Sequence, residues 1–251
     1  MTRLSVVVIT KDEEENIRRC LNSVHFADEI IVIDSGSTDK TVAIAESYQA
    51  KVFCPEWRGF GPAKQAGVEK AGGDWILSID ADEEVTPELA SEIKSKIEND
   101  NGICGYYFKR KTKFLGKWIL HCGWYPDYVL RLFQKQKGSF DNAIVHEKVV
   151  TNGPVDYLKS ELLHYSYPDL EHYLYKFNRY TTMGAEEAFR KGRKAKLTDI
   201  VFKPMASFAK HYFLKQGFKD GLEGFVLSSL SAMSVMIKYA KLRLLWKDNR
   251  Q

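Results

Sequence analysis

The sequence predicts a doubly wound α/β fold with a mixed sheet, followed by a helical extension at the C-terminus. Three observations support this prediction. Strand-like and helix-like segments alternate over the first hundred residues, the strand-like segments are short and often β-branched, and the last third of the chain has helical spacing. The chain has 251 residues and is 44% hydrophobic, which is enough for a packed core and excludes a disordered protein.

The predicted elements follow one another in a regular order. Thr86, Pro87 and Glu88 mark the clearest helix start, because they supply an N-cap, a first-turn proline and an acid at the positive end of the dipole. Residues 105–164 contain aromatic-rich, strand-like pieces that predict mixed β-structure. The predicted strands are 4–9, 29–33, 51–54, 75–79, 105–110 and 128–133, and the predicted helices are 16–24, 41–48, 62–71 and 86–98.

Charge, cysteine content and hydropathy narrow the class of protein. Residues 1–150 carry a net charge of −3 and residues 151–251 a net charge of +7, giving +4 overall. The acidic half suits a metal site and the basic half an anionic surface. The four cysteines form no Cys-x-x-Cys pair, which predicts reduced thiols in an intracellular protein. The longest apolar stretch, from Phe225 to Ile237, falls short of the ~20 residues that span a bilayer.

Acidic residues follow three of the predicted strands. Asp80 and Asp82 flank Ala81 directly after the strand over 75–79, and further acids follow the first two strands. Ligands of such sheets bind at the carboxyl ends of the strands. Two carboxylates at a strand end can hold Mg²⁺ or Mn²⁺, which in turn neutralises a diphosphate. A solvated acidic turn is the alternative, and the three coinciding strand ends disfavour it.

Three further segments have the chemistry of a nucleotide site. The run from Asp34 to Asp39 follows the second strand, and a carboxylate there can accept the N3–H of uracil. The run from Thr10 to Asn16 follows the first strand, and one of its acids can bind ribose hydroxyls, although a charged first helical turn explains most of them. Lys64 lies in a glycine-rich segment that opens a helix, where phosphate is favoured.

These motifs, in this order, resemble family 2 glycosyltransferases of the GT-A fold, and most closely the branch with bacterial lipopolysaccharide core sugar transferases. The resemblance is clear over about the first hundred residues and continues more weakly to His164. It implies a Rossmann-like GT-A catalytic domain over 1–165, with a nucleotide-sugar-binding half over 1–100 and an acceptor-side half over 101–165. Residues 166–251 then form the helical, basic and aromatic, membrane-associating extension.

The resemblance implies roles at the nucleoside end of the site. Asp34 would bind uracil, Asp39 would support its loop, and Glu13 or Glu14 would lie near the nucleoside. Many relatives carry a second acid where this chain has Ser35. The donor implied is a UDP-sugar, with glucose or a similar hexose as the sugar.

At the diphosphate end, the resemblance implies that Asp82 is the main ligand of Mg²⁺ or Mn²⁺ and that Asp80 contacts ribose or metal. Inverting transfer also needs a carboxylate that takes the proton of the acceptor hydroxyl. The candidates are Glu147, favoured because the similar branch carries His-Glu at this place, and Asp127.

Three basic side chains are further candidates for this end of the site. His146 and His164 are candidates for assisting the metal or diphosphate. Arg131 is a candidate for binding diphosphate, with a surface ion pair as the alternative.

The C-terminal extension, from Tyr173 to Trp246, intersperses aromatic residues with Lys and Arg. Basic amphipathic helices of this kind bind anionic membrane surfaces, while packing on the catalytic domain or on a second subunit is the alternative. Together with the resemblance, this predicts a lipid-linked glycan acceptor and a peripheral position on the cytoplasmic face of the inner membrane. A homo-oligomer stays open, and nucleic-acid binding is disfavoured because no recognised module is present.

Two other functions compete with sugar transfer. A sugar nucleotidyltransferase usually needs a basic glycine-rich loop after the first strand, but here that loop has one lysine and four acids. A non-catalytic membrane adaptor with a decayed nucleotide fold would not need Asp80 and Asp82, both of which are present.

Overall fold

The computed structural model describes residues 2–99, 102–141, 147–167 and 169–248. The chain forms two compact units, the first made of 1–111 and 127–165 and the second of 112–126 and 166–251. The second unit therefore includes 112–126, whereas the predicted catalytic domain extended without a break over 1–165. All four cysteines lie within the described residues and are free thiols.

The amino-terminal part of the first unit is a parallel sheet covered by helices, as predicted. The strands are β1 (Leu4–Thr10), β2 (Glu29–Asp34), β3 (Lys51–Phe53) and β4 (Trp75–Asp80), and the helices are α1 (Ile17–Ser23), α2 (Thr41–Ser47) and α3 (Phe60–Lys70). The strands lie in the order β3-β2-β1-β4. The predicted boundaries hold to within about two residues, and α3 begins two residues early because Gly59, with φ of +117°, turns the chain into the helix.

Strand β1 is central to the core because all seven of its residues are buried. Val6 and Val8 pack in a cluster on one face of the sheet, and Val7 and Ile9 in a second cluster on the other. Helix α3 approaches this second face closely, since a Cβ atom on Gly67 would lie 2.3 Å from Val7 Cγ1. The absence of a side chain at Gly67 therefore sets the distance between helix and sheet.

The rest of the first unit adds antiparallel strands, so the sheet is mixed as predicted. The additional elements are β5 (Glu83–Val85), α4 (Pro87–Glu98), β6 (Gly105–Phe114), β8 (Asp127–Gln134), the pair β9 (Gly138–Phe140) and β10 (Val149–Thr151), and β11 (Val155–Tyr167). The strand order continues from β4 through β8, β6 and β11 to β5. Strand β5 was not predicted, since three residues are too few to show a pattern. Helix α4 starts as predicted, with Thr86 Oγ1 accepting from Leu89 N at 3.2 Å.

The second unit is mainly helical, as predicted for the extension. It has its own core of buried apolar side chains, which includes Phe114, Ile119, Cys122, Tyr173 and Leu227. Its elements are the short strand β7 (Lys117–Trp118), α5 (Leu170–Arg190), α6 (Leu197–Ala209), a π-helical turn (Lys210–Leu214), a 3₁₀ turn (Gly217–Asp220) and α7 (Gly221–Asp248).

The apolar stretch in the sequence predicted that no segment is long enough to cross a bilayer, and the length of helix α7 shows that this prediction is wrong. The helical segment Gly217–Asp248 is 32 residues long and has a window of mean hydropathy 1.2, so by length and composition it meets that requirement. The serines that interrupt the apolar run do not break the helix, because Ser228 and Ser229 donate to the carbonyls of Gly224 and Phe225 one turn earlier. Core helices of soluble proteins can meet the same test.

Candidate functional site

The carboxyl ends of three parallel strands meet at one edge of the sheet. Thr10 is paired with Asp34 across β1 and β2, and Ile9 is paired with Asp80 across β1 and β4. The predicted residues Thr10, Asp34 and Asp80 are therefore neighbours. Thr10 is buried, and its hydroxyl has no hydrogen-bond partner among the described residues. An orphaned buried hydroxyl is rare outside functional sites, where a ligand or water completes it.

The carboxylate of Asp34 organises the loop that follows β2. Its Oδ2 accepts hydrogen bonds from Gly36 N at 2.9 Å and Ser37 N at 3.0 Å, and its Oδ1 accepts from Ser37 Oγ. Gly36 has φ of +88°, which permits this turn. The side chain is 2% exposed, so it shapes the loop that would face a base, and its contact with uracil stays a prediction.

Asp39 and the acids after β1 tie two loops together. Asp39 Oδ2 accepts from Glu14 N at 3.0 Å, and its Oδ1 accepts from Thr41 N at 2.9 Å. Desolvation raises the pKa of Asp39, but these hydrogen bonds outweigh it and lower the pKa. Glu13 Oε2 accepts from Asn16, and Glu14 Oε2 accepts from Lys40 N at 3.1 Å. In this structure these carboxylates cap loops and helices, and their nucleoside contacts stay predictions.

The chemistry of the site concentrates around Asp80. Lys64 Nζ lies 2.8 Å from Asp80 Oδ1 and 2.7 Å from Glu147 Oε1. Arg131 Nη2 lies 2.6 Å from Asp80 Oδ2 and 2.7 Å from Glu83 Oε1. Both cations are buried, so Arg131 forms a buried ion pair and the alternative of a surface pair is wrong.

The ionisation of Asp80 and Arg131 follows from this contact. Burial alone raises the pKa of Asp80, but Arg131 and then Lys64 outweigh it and hold the pKa well below its usual range. Burial alone lowers the pKa of Arg131, and Asp80 and Glu83 reverse this and raise it. Both groups are therefore charged at neutral pH. Arg131 Nε has no partner in the described part of the chain, although it is buried.

Glu83 and Arg110 extend the network to Asp127. Glu83 is fully buried, and its Oε2 accepts from Asp80 N at 2.9 Å. Arg110 Nη1 lies 3.1 Å from Glu83 Oε1, while its Nη2 and Nε donate to Asp127 Oδ2 at 2.6 and 3.0 Å. Asp127, a predicted base, is thus held by an arginine and is 41% exposed, whereas Glu147 is 14% exposed.

The predicted metal ligands are only partly brought together. His164 Nε2 lies 3.4 Å from Asp82 Oδ2, and both side chains are mostly buried. Both carboxylate oxygens of Asp80 are engaged by Lys64 and Arg131. Within the described residues no three His, Cys, Asp or Glu side chains form a metal-ligating group. The role of Asp82 and His164 as metal ligands stays a prediction: the pair would offer one oxygen and one nitrogen, and a substrate oxygen and water would have to complete the coordination.

Several side chains of the site network were not predicted from the sequence, and one predicted residue, His146, lies outside the described residues. Glu83 and Arg110 were missed, although Glu83 is on the same face of β5 as the buried Val85. A second missed group braces the edge of the site: Arg19 lies 3.5 Å above the ring of Tyr165, whose hydroxyl donates to Glu84 Oε2 at 2.7 Å.

A family model and curated relatives match this sequence over most of its length. A model of the family described as glycosyl transferase family 2 matches residues 5–159. An uncharacterized glycosyltransferase of Rickettsia bellii (strain RML369-C) is 35% identical over 96% of this chain and 86% of its own length. The lipopolysaccharide core biosynthesis glycosyltransferase LpsC of Rhizobium meliloti (strain 1021) is 29% identical over 95% of this chain and 91% of its own length.

Two solved structures show more distant similarity. TarS 1–349 of S. aureus in complex with UDP-GlcNAc is 15% identical, with a TM-score of 0.47 over 98% of this chain and 92% of that chain. Glucosyl-3-phosphoglycerate synthase from Mycobacterium tuberculosis, in complex with Mn²⁺, UDP and glucosyl-3-phosphoglycerate, is 23% identical, with a TM-score of 0.43 over 54% of this chain and 57% of that chain.

Proposed function

This chain belongs to glycosyl transferase family 2 and is a glycosyltransferase. We propose that it transfers a hexose, such as glucose, from a UDP-sugar to a hydroxyl of a membrane-held glycolipid. The similarity to LpsC supports a lipopolysaccharide core as the acceptor. The observation that carries the proposal is the buried chain of contacts from Asp80 through Lys64 to Glu147 at the carboxyl edge of the sheet.

Glu147 is the proposed general base. In an inverting transfer the acceptor oxygen bonds to the anomeric carbon, the bond from that carbon to the diphosphate breaks, and UDP leaves. The proton of the acceptor hydroxyl goes to a carboxylate. Glu147 suits this role better than Asp127, because Lys64 holds it beside Asp80, whereas Nε and Nη2 of Arg110 both donate to one oxygen of Asp127.

Lys64 and Arg131 are the proposed electrostatic partners of the diphosphate end. Three cations already contact four carboxylates in the described part of this network: Lys64, Arg131 and Arg110 against Asp80, Glu83, Glu147 and Asp127. A nucleoside diphosphate would add negative charge beside Asp82. That charge balance favours a donor that arrives with a divalent cation.

Asp82 and His164 are the residues that would hold Mg²⁺ or Mn²⁺, because their side chains lie together at the strand end. When bound, the cation neutralises the charge that develops on the leaving diphosphate. Asp80 is proposed to position Lys64 and Arg131, or to contact ribose. Thr10, the Asp34 loop, Asp39, Glu13 and Glu14 form the proposed nucleoside end of the same edge.

Membrane association is proposed for the second unit. Helix α6 has no buried residue and exposes Leu197, Val201 and Met205 at four-residue spacing, with Phe202 beside them. Lys203 lies on the same helix, and Lys196 and Lys210 flank it. An exposed apolar stripe with basic neighbours suits an anionic bilayer surface, which supports a peripheral position on the cytoplasmic face of the inner membrane.

The test is calorimetric binding of UDP and release of UDP from a panel of UDP-, GDP- and ADP-sugars, with and without Mn²⁺ or Mg²⁺. We expect metal-dependent binding and slow release from one UDP-sugar. Asp82→Asn should remove the metal dependence of UDP binding, while Asp74→Asn, a matched change at the other end of β4, should not. If UDP does not bind in the presence of either metal, the donor site proposed here is wrong.

A further inference from the structure

The second unit contains a cavity of about 330 Å³ that the proposed donor site does not use. Two segments of this unit line it, one ending at Pro126 and the other spanning 214–216. Its polar lining comes from His121, Tyr125, Lys215 and Gln216. The volume falls at the lower end of the range of small-ligand sites, about 300–1,000 Å³.

A buried carboxylate fixes the orientation of His121. Asp220 is 3% exposed, and its Oδ2 accepts from His121 N at 2.8 Å. Its Oδ1 accepts from Leu120 N at 3.3 Å and lies 2.9 Å from His121 Nδ1. Because an ionised carboxylate only accepts hydrogen bonds, we assign the proton to Nδ1. Nε2 has no hydrogen-bond partner among the described residues and is the nitrogen left for a ligand.

Backbone contacts hold the two lining segments together. Cys122 N donates to Lys215 O at 3.0 Å. The aliphatic part of Lys215 lies against Gly123, where an added Cβ would be 3.5 Å from Lys215 Cγ. Gly123 has φ of +76°, so a side chain there would be strained. The cavity is therefore built into the fold of this unit.

The charges and surfaces of the cavity indicate its ligand. Lys215 is exposed and forms no ion pair among the described residues, and the charge of Asp220 is taken up by three donors. Lys215 offers a cation to an anionic group, while His121 Nε2, the unprotonated ring nitrogen, accepts a hydrogen bond from a ligand hydroxyl. Leu120 and Leu214 are 42% and 78% exposed and offer apolar surface to the face of a sugar ring.

We propose that this cavity binds an acidic sugar residue of the acceptor, whose phosphate or carboxylate pairs with Lys215 and one of whose hydroxyls donates to His121 Nε2. The proposal rests on the proposed function, because it assumes a glycan acceptor. Tyr125 and Gln216 are placed to contact the sugar hydroxyls.

The experiment measures binding to the full-length protein by calorimetry. The probes are mannose 6-phosphate, galacturonic acid, inorganic phosphate and neutral methyl glucoside. We expect one of the two acidic sugars to bind and the neutral sugar not to bind, and the stronger acidic probe identifies phosphate or carboxylate as the anion. Lys215→Gln should weaken that binding at least about tenfold, as for a lost charge-assisted hydrogen bond. His121→Ala, which removes a neutral acceptor, should weaken it about twofold to tenfold.

The control is Lys219→Gln, which removes an equal charge four residues from Lys215 at a position that does not line the cavity. It should leave binding unchanged, and UDP binding should stay intact in all three variants. The proposal is overturned if neither acidic sugar binds, if inorganic phosphate binds as well as both sugars, or if Lys219→Gln weakens binding as much as Lys215→Gln. Acidic-sugar binding without UDP binding would instead refute the proposed donor site and leave this cavity in place.

Discussion

Lys64 Nζ lies 2.8 Å from Asp80 Oδ1, although the lysine side chain is only 2% exposed. The same ammonium contacts Glu147, so one buried cation is shared by two carboxylates that are 67 positions apart in the sequence. A buried charge that loses its partner costs several kcal/mol, so the three side chains depend on one another. This shared cation links the proposed donor-binding residue to the proposed base.

Replacing Lys64 with Met is expected to destabilise the protein by about 3–5 kcal/mol, because Asp80 and Glu147 lose a common partner in a buried place. The measurement is the free energy of unfolding in urea. Lys70→Met on the same helix is the control, because Lys70 is exposed, and it should change stability by less than about 1 kcal/mol. Equal losses in the two variants would mean that Lys64 contributes no more than a surface lysine.

Glu147→Gln is expected to lower kcat by roughly 10²–10⁴-fold, the usual contribution of a general base. Asp127→Asn is the matched change at the other candidate and should lower kcat less than about tenfold, because we assign Asp127 to holding Arg110. Steady-state transfer assays give both values, and UDP binding shows whether the donor site is intact. The reverse order of losses would assign the base to Asp127.

Glu29 gives a prediction for pH. Desolvation alone raises its pKa, but hydrogen bonds from Ser5 Oγ at 2.5 Å, Gly72 N and Lys51 lower it from 4.5 to about 2. A depressed folded-state pKa stabilises the protein above the unfolded pKa, and this stabilisation is lost as pH falls from about 4.5 towards 2.

Glu29→Gln should therefore cost at most about 3 kcal/mol at pH 7 and progressively less below pH 4.5. Urea unfolding between pH 2.5 and 7 measures the difference from wild type. The exposed Glu69→Gln is the control and should show little change across this range. A Glu29→Gln effect that does not shrink at low pH would contradict the linkage.

Gly67→Ala is expected to destabilise the first unit by about 1–3 kcal/mol, because the new Cβ would lie 2.3 Å from Val7 Cγ1 and the core cannot relax freely. Intrinsic helix propensity favours Ala by up to about 1 kcal/mol, so a loss would show that packing decides. A double-mutant cycle with Val7→Ala tests the contact. The double variant should be less destabilised than the sum of the single variants, and strict additivity would exclude this clash.

Val201→Asp combined with Met205→Asp should reduce binding to vesicles that contain anionic lipid, because both side chains are exposed on the apolar stripe of α6. Co-sedimentation measures the bound fraction. Val150→Asp, at an exposed residue of the first unit, is the control and should bind as wild type does.

Alkaline carbonate extraction of cell membranes tests whether α7 crosses the membrane or lies against its surface. A peripheral protein is released by this treatment, and a membrane-spanning protein is retained.

Local patterns were sufficient for most of the first hundred residues. The apolar run over β1 and the aspartates that end β2 and β4 predicted both the parallel sheet and the edge that holds Asp34 and Asp80. The N-cap at Thr86 is equally local. These predictions succeed because a strand, a cap or a turn depends on residues within one or two turns of each other.

What the sequence alone determined is thus the family resemblance, the mixed α/β sheet, the acidic strand ends and the helical, basic C-terminal region. Only the tertiary structure decided that Lys64 binds Asp80 and Glu147, that Glu83 is buried between Arg110 and Arg131, and that Asp220 orients His121. These partners are 16 to 99 positions apart. The order of the strands and the packing of the helices decide which of these side chains meet. A charged group that is buried without a partner costs several kcal/mol, and this cost arises only once the packing has excluded water.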